Sequence, residues 1–335
     1  MSVLVEAKGV TKHFPLMRGK TVHAVDDVSL SIDAKEIVGL VGESGSGKST
    51  FGKVLVGLHD KTAGEVYLEG ERLPQRYTAG DFQRYARHMQ MIFQDPYSSL
   101  NPRMTVGEIV GEGLRFCAGA SGAQVREAVG GWLERVGLEG GYAGRYPHEL
   151  SGGQRQRVGI ARALILAPTF VVCDEPISAL DVSVQAQIVR LLGELKELLG
   201  LTLLFIAHDL SMVRYVSDRM AVMYLGSLVE VGPADDVYFR PLHPYTKTLV
   251  ASNPEPDPRS ERQRTTTPIT GEIPSPVNVG AGCRFSTRCP EVMDICRTVT
   301  PELRVVVDAG DERQVACHLF ETTGQLSPSS TEVSS

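Results

Sequence analysis

No stretch of this chain comes near the ~18–20 consecutive apolar residues that a helix needs to cross a bilayer. Residues 1–14 also lack the long apolar run and small-residue cleavage site of a secretory leader. An excess of positive charge is missing as well. The 335 residues carry a formal net charge of −6, the wrong sign for a mainly nucleic-acid-binding surface. No internal repeat is visible, which argues against a solenoid. What remains is an ordinary globular composition, 42% hydrophobic and 22% charged, long enough for one large domain with or without a smaller companion. The expectation is a cytoplasmic protein whose membrane link comes through partners.

Apolar strand-like runs alternate with helical patterns over roughly the first 230 residues, the look of an α/β domain. Ile37–Val41 reads as a short buried strand, Gly42–Gly47 as a glycine-rich turn and Lys48–Leu58 as a helix. His88–Phe93 is a second strand candidate, closed by Gln94, Asp95 and Pro96. Phe170–Cys173 runs into Asp174 and Glu175, and Thr202–Ala207 into His208. Between them Val184, Ile188, Leu191, Leu192, Leu195 and Leu198 recur at helical spacing, with Gly200 as the stop; this stripe reads as core packing. Residues 97–150 break the rhythm and suit a mostly helical insertion, including a helix over Gly122–Val136. After Val231 the composition shifts to a Pro-, Arg- and Thr-rich stretch at Asn253–Pro268, then to a cysteine-containing segment, then to a Ser/Thr-rich end.

Gly42-Glu43-Ser44-Gly45-Ser46-Gly47-Lys48-Ser49 fits G-x-x-x-x-G-K-[ST], and Thr50 follows. Glycines let backbone N–H groups converge on phosphate oxygens at the positive end of the next helix. Lys48 supplies a charge for the β- and γ-phosphates, and the Ser49 hydroxyl can ligate Mg²⁺. Asp174, at the carboxyl end of a strand run, is placed as the magnesium-side acid. Glu175 follows it as a candidate general base that orients a water.

A phosphate loop alone fits many nucleotide-binding classes. Leu150-Ser151-Gly152-Gly153-Gln154, followed by Arg155-Gln156-Arg157 and a helix expected over Val158–Leu166, narrows them. Here the sequence resembles the ATP-binding cassette (ABC) transporter ATPases. The resemblance implies an α/β P-loop core with a helical subdomain, working as a head-to-tail dimer. In such a dimer Ser151, Gly152, Gly153 and Gln154 close over ATP held by the other subunit. It further implies that Gln94 senses Mg²⁺ and the attacking water, and that Ser178-Ala179-Leu180-Asp181 forms a dimer-contact loop. His208 would meet the γ-phosphate. An aromatic residue stacks on adenine in this family, and Phe14 is the first candidate, with His13 and His23 as alternatives. The cassette covers residues 1–250, with the helical subdomain at about 97–165.

Gln94–Pro102, Tyr146–Glu149 and His243–Thr246 resemble the dipeptide/oligopeptide (and nickel) importers, and Tyr97-Ser98-Ser99 looks most like their second, F-type ATPase subunit. That resemblance implies a peripheral subunit on the cytoplasmic face of the inner membrane. Its partners would be a second, non-identical ATPase, two permeases and an extracytoplasmic solute-binding protein. It also implies peptides as cargo, with nickel or another small solute as the alternative. A DNA-repair or translation ATPase would need coiled coils, a second cassette or basic insertions. A small-molecule kinase would leave the Leu150–Gln154 signature unexplained.

Of six cysteines, Cys117 and Cys173 read as packing residues, whereas Cys283, Cys289, Cys296 and Cys317 give C-x5-C-x6-C-x20-C. The tight C-x2-C of common zinc ribbons is absent. Gly282–Phe285 and Arg288–Pro290 resemble the C-terminal extension of the peptide-importer ATPases, which implies a [4Fe–4S] cluster on these four thiols. Zinc, or no ligand, stays open. The expected order is a linker at 251–268, the extension at 269–320, and a disordered tail at 321–335.

Overall fold

Two sheets and a set of helices organise the chain in its computed structural model, which describes residues 2–178, 180–252, 274–277, 279–308 and 311–320. β1 (Val3–Pro15) and β2 (Thr21–Asp33) pair antiparallel. After β3 (Ile37–Val41) and α1 (Lys48–Leu55) come β4 (Ala63–Leu68) and β5 (Glu71–Arg72), which complete an antiparallel sheet in the order β2-β1-β4-β5. α2 (Ala79–Tyr85) leads to β6 (Met89–Ile92). The expected helical insertion follows as α3 (Pro96–Ser99), α4 (Val106–Ala118), α5 (Gly122–Arg135) and α6 (Gly152–Leu164). Its starts are written in the sequence. Thr105 with Glu108, Ser121 with Gln124 and Ser151 with Gln154 each close a capping box, a type of cap whose loss costs about 1 kcal/mol.

The chain continues with β7 (Phe170–Asp174), α7 (Val182–Leu199), β8 (Thr202–Ile206), α8 (Leu210–Val216), β9 (Arg219–Tyr224), β10 (Ser227–Pro233), α9 (Ala234–Phe239) and α10 (Pro244–Ala251). α7 carries the predicted stripe, of which Ile188, Leu191, Leu192 and Leu195 are buried, and it stops at Gly200 in the left-handed region (φ 64°). Leu198 departs from the stripe and is exposed. β11 (Arg304–Asp308) and β12 (Asp311–Val315) form a closing hairpin.

The main sheet runs β11-β12-β10-β9-β3-β8-β7-β6, and its strands from β9 to β6 are parallel. Alternation along β3 sends Val38 and Leu40 to one core, with Phe51 and Val54, and Ile37 and Val41 to the other, with Leu203 and Val222. Both faces are therefore buried, as a parallel sheet requires. The carboxyl ends of β3, β6, β7 and β8 then share one edge, which brings the phosphate loop, Gln94, Asp174–Glu175 and His208 together.

Several boundaries differ from expectation. α1 ends at Leu55 rather than Leu58, because the chain turns through Gly57 (φ 77°). β6 is one residue shorter at each end than His88–Phe93. The helix expected from Val158 begins six residues earlier, at Gly152, since Ser151 caps it, and it ends at Leu164. The C-terminal extension is not a free-standing module. β12 pairs with β10 (Glu230 opposite Val315, Val231 opposite Gln314), and Phe285 is buried against Tyr224 and Tyr245. Residues 253–268 of the predicted linker, 269–273 and the tail at 321–335 lie outside the described residues, as does Ala179.

Candidate functional site

Gly47 cannot be replaced in the loop: its φ is 104° and a Cβ there would sit 2.0 Å from the Ala24 carbonyl oxygen of β2. α1 begins at the next residue, so Lys48 is its first. The Lys48 ammonium is buried and donates to the carbonyls of Gly42 (2.7 Å) and Glu43 (2.9 Å) and to Ser46 Oγ (3.3 Å). Burial pushes its pKa down, opposed by the charges of Glu175, Asp174 and Glu43.

Ser49 Oγ donates to Asp174 Oδ1 at 2.7 Å, joining residues 125 apart in sequence. Asp174 is 2% exposed, and burial raises its pKa against the lowering effects of that hydrogen bond and of Lys53. Beside it Gln94 Nε2 donates to Glu175 Oε2 at 2.7 Å, and His208 Nδ1 lies 3.8 Å from the same oxygen. Glu175 sits in the left-handed region (φ 42°), which costs a residue with a Cβ about 1–2 kcal/mol. Its N–H donates to the Ile206 carbonyl at 2.9 Å, and this bond to the end of β8 holds the turn. A cavity of about 80 Å³ opens beside Glu175, Ser178 and His208.

At the start of α6 the Ser151 Oγ accepts from the Gln154 N–H (3.3 Å), and Gln154 Oε1 accepts from the Ser151 N–H (2.9 Å). Two signature side chains thus cap their own helix, which leaves the first-turn N–H groups of Gly152 and Gly153 without helical acceptors. Gly153 is packed so closely that a Cβ would lie 2.6 Å from Val184 Cγ1. Asp181 is the exposed N-cap residue of α7, with no capping bond from its side chain.

Phe14 stands opposite Val22 across the β1–β2 pair, half-buried, edge-on to His59 with ring centroids 5.6 Å apart. Both alternatives to it are otherwise engaged: His13 Nε2 and His23 Nδ1 lie 3.0 and 3.1 Å from the Asp26 carboxylate. Arg284 reaches the same carboxylate and the Leu225 carbonyl. Glu43, in the loop expected to cradle phosphate, is held from behind. Its N–H donates to the Tyr245 hydroxyl (2.8 Å), and its carboxylate takes a two-pronged contact from Arg288 (2.8 and 3.0 Å).

Cys283, Cys289, Cys296 and Cys317 are free thiols that perturb one another electrostatically. Backbone N–H groups donate to three of the sulfurs: Phe285 and Ser286 to Cys283, Glu291 to Cys289, and Leu319 to Cys317. Burial outweighs these bonds and pushes the Cys317 thiol up to about 12. Among the described residues, one set of three metal-type ligand atoms lies mutually within 4.8 Å, and it is His13, His23 and Asp26. Cys173 is fully buried in β7, as expected of a packing residue, whereas Cys117 is half-exposed on the wall of a groove.

Residues 25–178 match the family described as ABC transporter, and residues 229–296 match the oligopeptide/dipeptide transporter C-terminal region. The putative oligopeptide transport ATP-binding protein YkfD of Bacillus subtilis (strain 168) is 51% identical over 318 residues, covering 95% of each chain. This chain belongs to the ATP-binding cassette transporter ATPases, in their oligopeptide/dipeptide branch. The oligopeptide transport ATP-binding protein OppF of Salmonella typhimurium is 49% identical over 310 residues, 90% of this chain and 92% of the relative. Among solved structures, the dimeric post-hydrolysis state of the ATP-binding cassette MJ0796 bound to ADP and Pi superposes with a TM-score of 0.64 at 32% identity. It covers 69% of this chain and 99% of that one. The match to the C-terminal region ends at Cys296, before Cys317.

Three residues of this ABC ATPase escaped the sequence reading. Arg155 lies over the Tyr97 ring (3.8 Å) and donates to the Pro147 carbonyl (2.6 Å), tying the signature helix to two of the importer-like segments. Tyr245 and Arg288 both hold Glu43. Their neighbours were visible, in His243-Pro244-Tyr245 and Arg288-Cys289-Pro290, but their target was not. No helix among the described residues is long and apolar enough to cross a membrane. An apolar groove of about 340 Å³ runs between core and helical insertion, lined by Tyr77, Phe82, Tyr85, Phe93 and Phe116 among others.

Proposed function

We propose that this chain is an ATP-hydrolysing subunit that powers peptide import, as one half of a paired engine with a second, non-identical ATPase. The observation that carries the reading is the convergence at one sheet edge of Ser49 on Asp174 and of Gln94 on Glu175, each at 2.7 Å. Residues 42–50 cradle the phosphates through the N–H groups from Ser44 onward, with Lys48 released from its loop carbonyls onto the β- and γ-oxygens. Mg²⁺ fits a buried carboxylate whose partner is a hydroxyl; Ser49, Asp174 and Gln94 would hold it, and it supplies charge neutralisation at the phosphates. Glu175, with Gln94 and the exposed His208 beside it, orients a water for attack. Phe14 stacks on adenine.

The first turn of α6 presents the free N–H groups of Gly152 and Gly153, with Ser151 and Gln154 holding the turn, to ATP on the partner subunit, and the partner's signature does the same here, with Asp181 at the contact. ATP-driven closure switches the two permeases to an outward-facing state, and hydrolysis resets them. The apolar groove at Phe93 and Phe116, one residue from Gln94, is where a permease helix docks, which would link cargo movement to the site. Peptides reach the permeases from a solute-binding protein on the far side of the membrane, so the subunit is peripheral on the cytoplasmic face.

The four cysteines fit a [4Fe–4S] cluster better than zinc. Tetrahedral Zn–S bonds of about 2.3 Å need sulfurs about 3.8 Å apart, whereas no three of these lie mutually within 4.8 Å, and they receive N–H donors suited to thiolate ligands. Such a cluster supplies a cross-link between the chain segments around residues 283–296 and 317. The test of the ATPase reading is Glu175→Gln in the reconstituted transporter. It should keep ATP binding and lower turnover about 10²–10⁴-fold; unchanged turnover would refute the base assignment.

A further inference from the structure

The phosphate loop is held from behind by a residue of the C-terminal extension. We infer that Arg288 is a positioning residue for nucleotide: by neutralising and fixing Glu43 it lets the extension set the loop's affinity for Mg·ATP. The inference rests on the reading of residues 42–50 as the ATP site. Arg288 is nearly buried, 5% exposed at the side chain, and 245 residues away in sequence from the carboxylate it grips with both terminal nitrogens. Its third contact is the Tyr224 hydroxyl at 3.2 Å.

Residue 43 is tied at three points. The carboxylate goes to Arg288, the N–H to the Tyr245 hydroxyl, and the carbonyl receives the Lys48 ammonium. The seat of the phosphate-binding lysine therefore depends on where Glu43 stands. Without Arg288, a partly buried carboxylate is left uncompensated inside a loop that must accept a polyanion. Both the repulsion and the loosened backbone act against binding. Arg284, four residues earlier, braces the other flank through Asp26 and the Leu225 carbonyl. Asp26 lies two residues from Ala24, whose carbonyl abuts Gly47. The arginines follow Cys283 and precede Cys289 directly, so the extension meets the loop through residues that adjoin two of its four thiols.

The experiment measures Mg·ATP affinity with a fluorescent ATP analogue, together with ATPase KM and kcat, on the full chain. Arg288→Ala should raise Kd and KM about 5- to 100-fold and leave kcat at saturating ATP within about threefold. Arg288→Lys, a single point charge without the planar fork, should fall between. Adding Glu43→Gln to Arg288→Ala should recover part of the lost affinity, because the repulsion is then removed while the loosened backbone remains. Glu43→Gln alone removes the charge together with its ion pair, so it should lower affinity less than Arg288→Ala does. An unchanged Kd in Arg288→Ala overturns the inference, as does a loss that Glu43→Gln does not relieve. If Arg288→Ala does not fold, the Arg288→Lys and Glu43→Gln pair decides by the same rescue. A wild-type chain that binds no nucleotide overturns the ATPase reading itself, an outcome distinct from a wild type that binds and an Arg288 variant that is indifferent.

Discussion

Replacing Arg313 by Met removes the cation from an ion pair in which both side chains are fully buried, with Nη1 of Arg313 3.7 Å from Oε1 of Glu230. Met is similar in length and apolar, so packing changes little and the charge is what is lost. Glu230 keeps two donors, the N–H groups of Leu242 and His243, each at 2.9 Å. The carbonyls of Asp236 (3.1 Å) and Arg240 (2.6 Å) and the Asp308 carboxylate (2.5 Å) lose theirs. Breaking one side of such a pair costs about 3–5 kcal/mol. At about 2–4 °C per kcal/mol, the melting temperature at pH 8 should fall by roughly 6–20 °C. Burial already raises the Glu230 pKa above the ordinary carboxylate value, and Arg313 is one of the influences holding it down, so the variant raises it further. A carboxylate whose folded pKa exceeds its unfolded one destabilises the fold once pH rises above the unfolded value. That cost fades as pH falls through the folded pKa, where the group protonates. Thermal unfolding at pH 5.5 should therefore show a smaller gap between variant and wild type than at pH 8. Adding Glu230→Gln should recover part of the loss. A loss under about 1 kcal/mol at pH 8, or one equal at both pH values, would refute the reasoning.

Two shorter expectations concern the site. Lys48→Ala removes a charge-assisted hydrogen bond worth about 1.5–3 kcal/mol. Equilibrium binding should show ATP affinity falling roughly 10- to 150-fold, and an unchanged Kd would count against its phosphate role. Protein prepared without oxygen should carry about four irons per chain and a broad visible absorbance. Cys296→Ser should lose most of both, and iron-free wild-type protein would rule the cluster out.

Much of the site was legible because its chemistry is local. A strand, a glycine turn and a lysine lie within residues 37–48, and acidic residues follow a five-residue buried strand at Phe170–Asp174. α6 starts at Gly152, ahead of the expected Val158, because the Ser151–Gln154 capping box outweighs the weak helix propensity of Gly152 and Gly153. The long-range pairs stayed hidden. Nothing near Glu43 points to Arg288, and nothing near Glu230 points to Arg313, since each partner lies beyond residues 253–273. Cys296 and its neighbours suggested a separate unit, yet Phe285 packs against Tyr224 and Tyr245 of the cassette.

The pairing of β12 with β10 has a consequence for inheritance. The extension supplies a cover for the edge of the main sheet at β10 and a counter-ion for Glu230 together. A descendant that discards the extension must replace both at once, because a bare β10 offers its unpaired backbone to other chains. Removing β12 therefore falls on the folding of the cassette itself, which ties the two parts into one inherited unit.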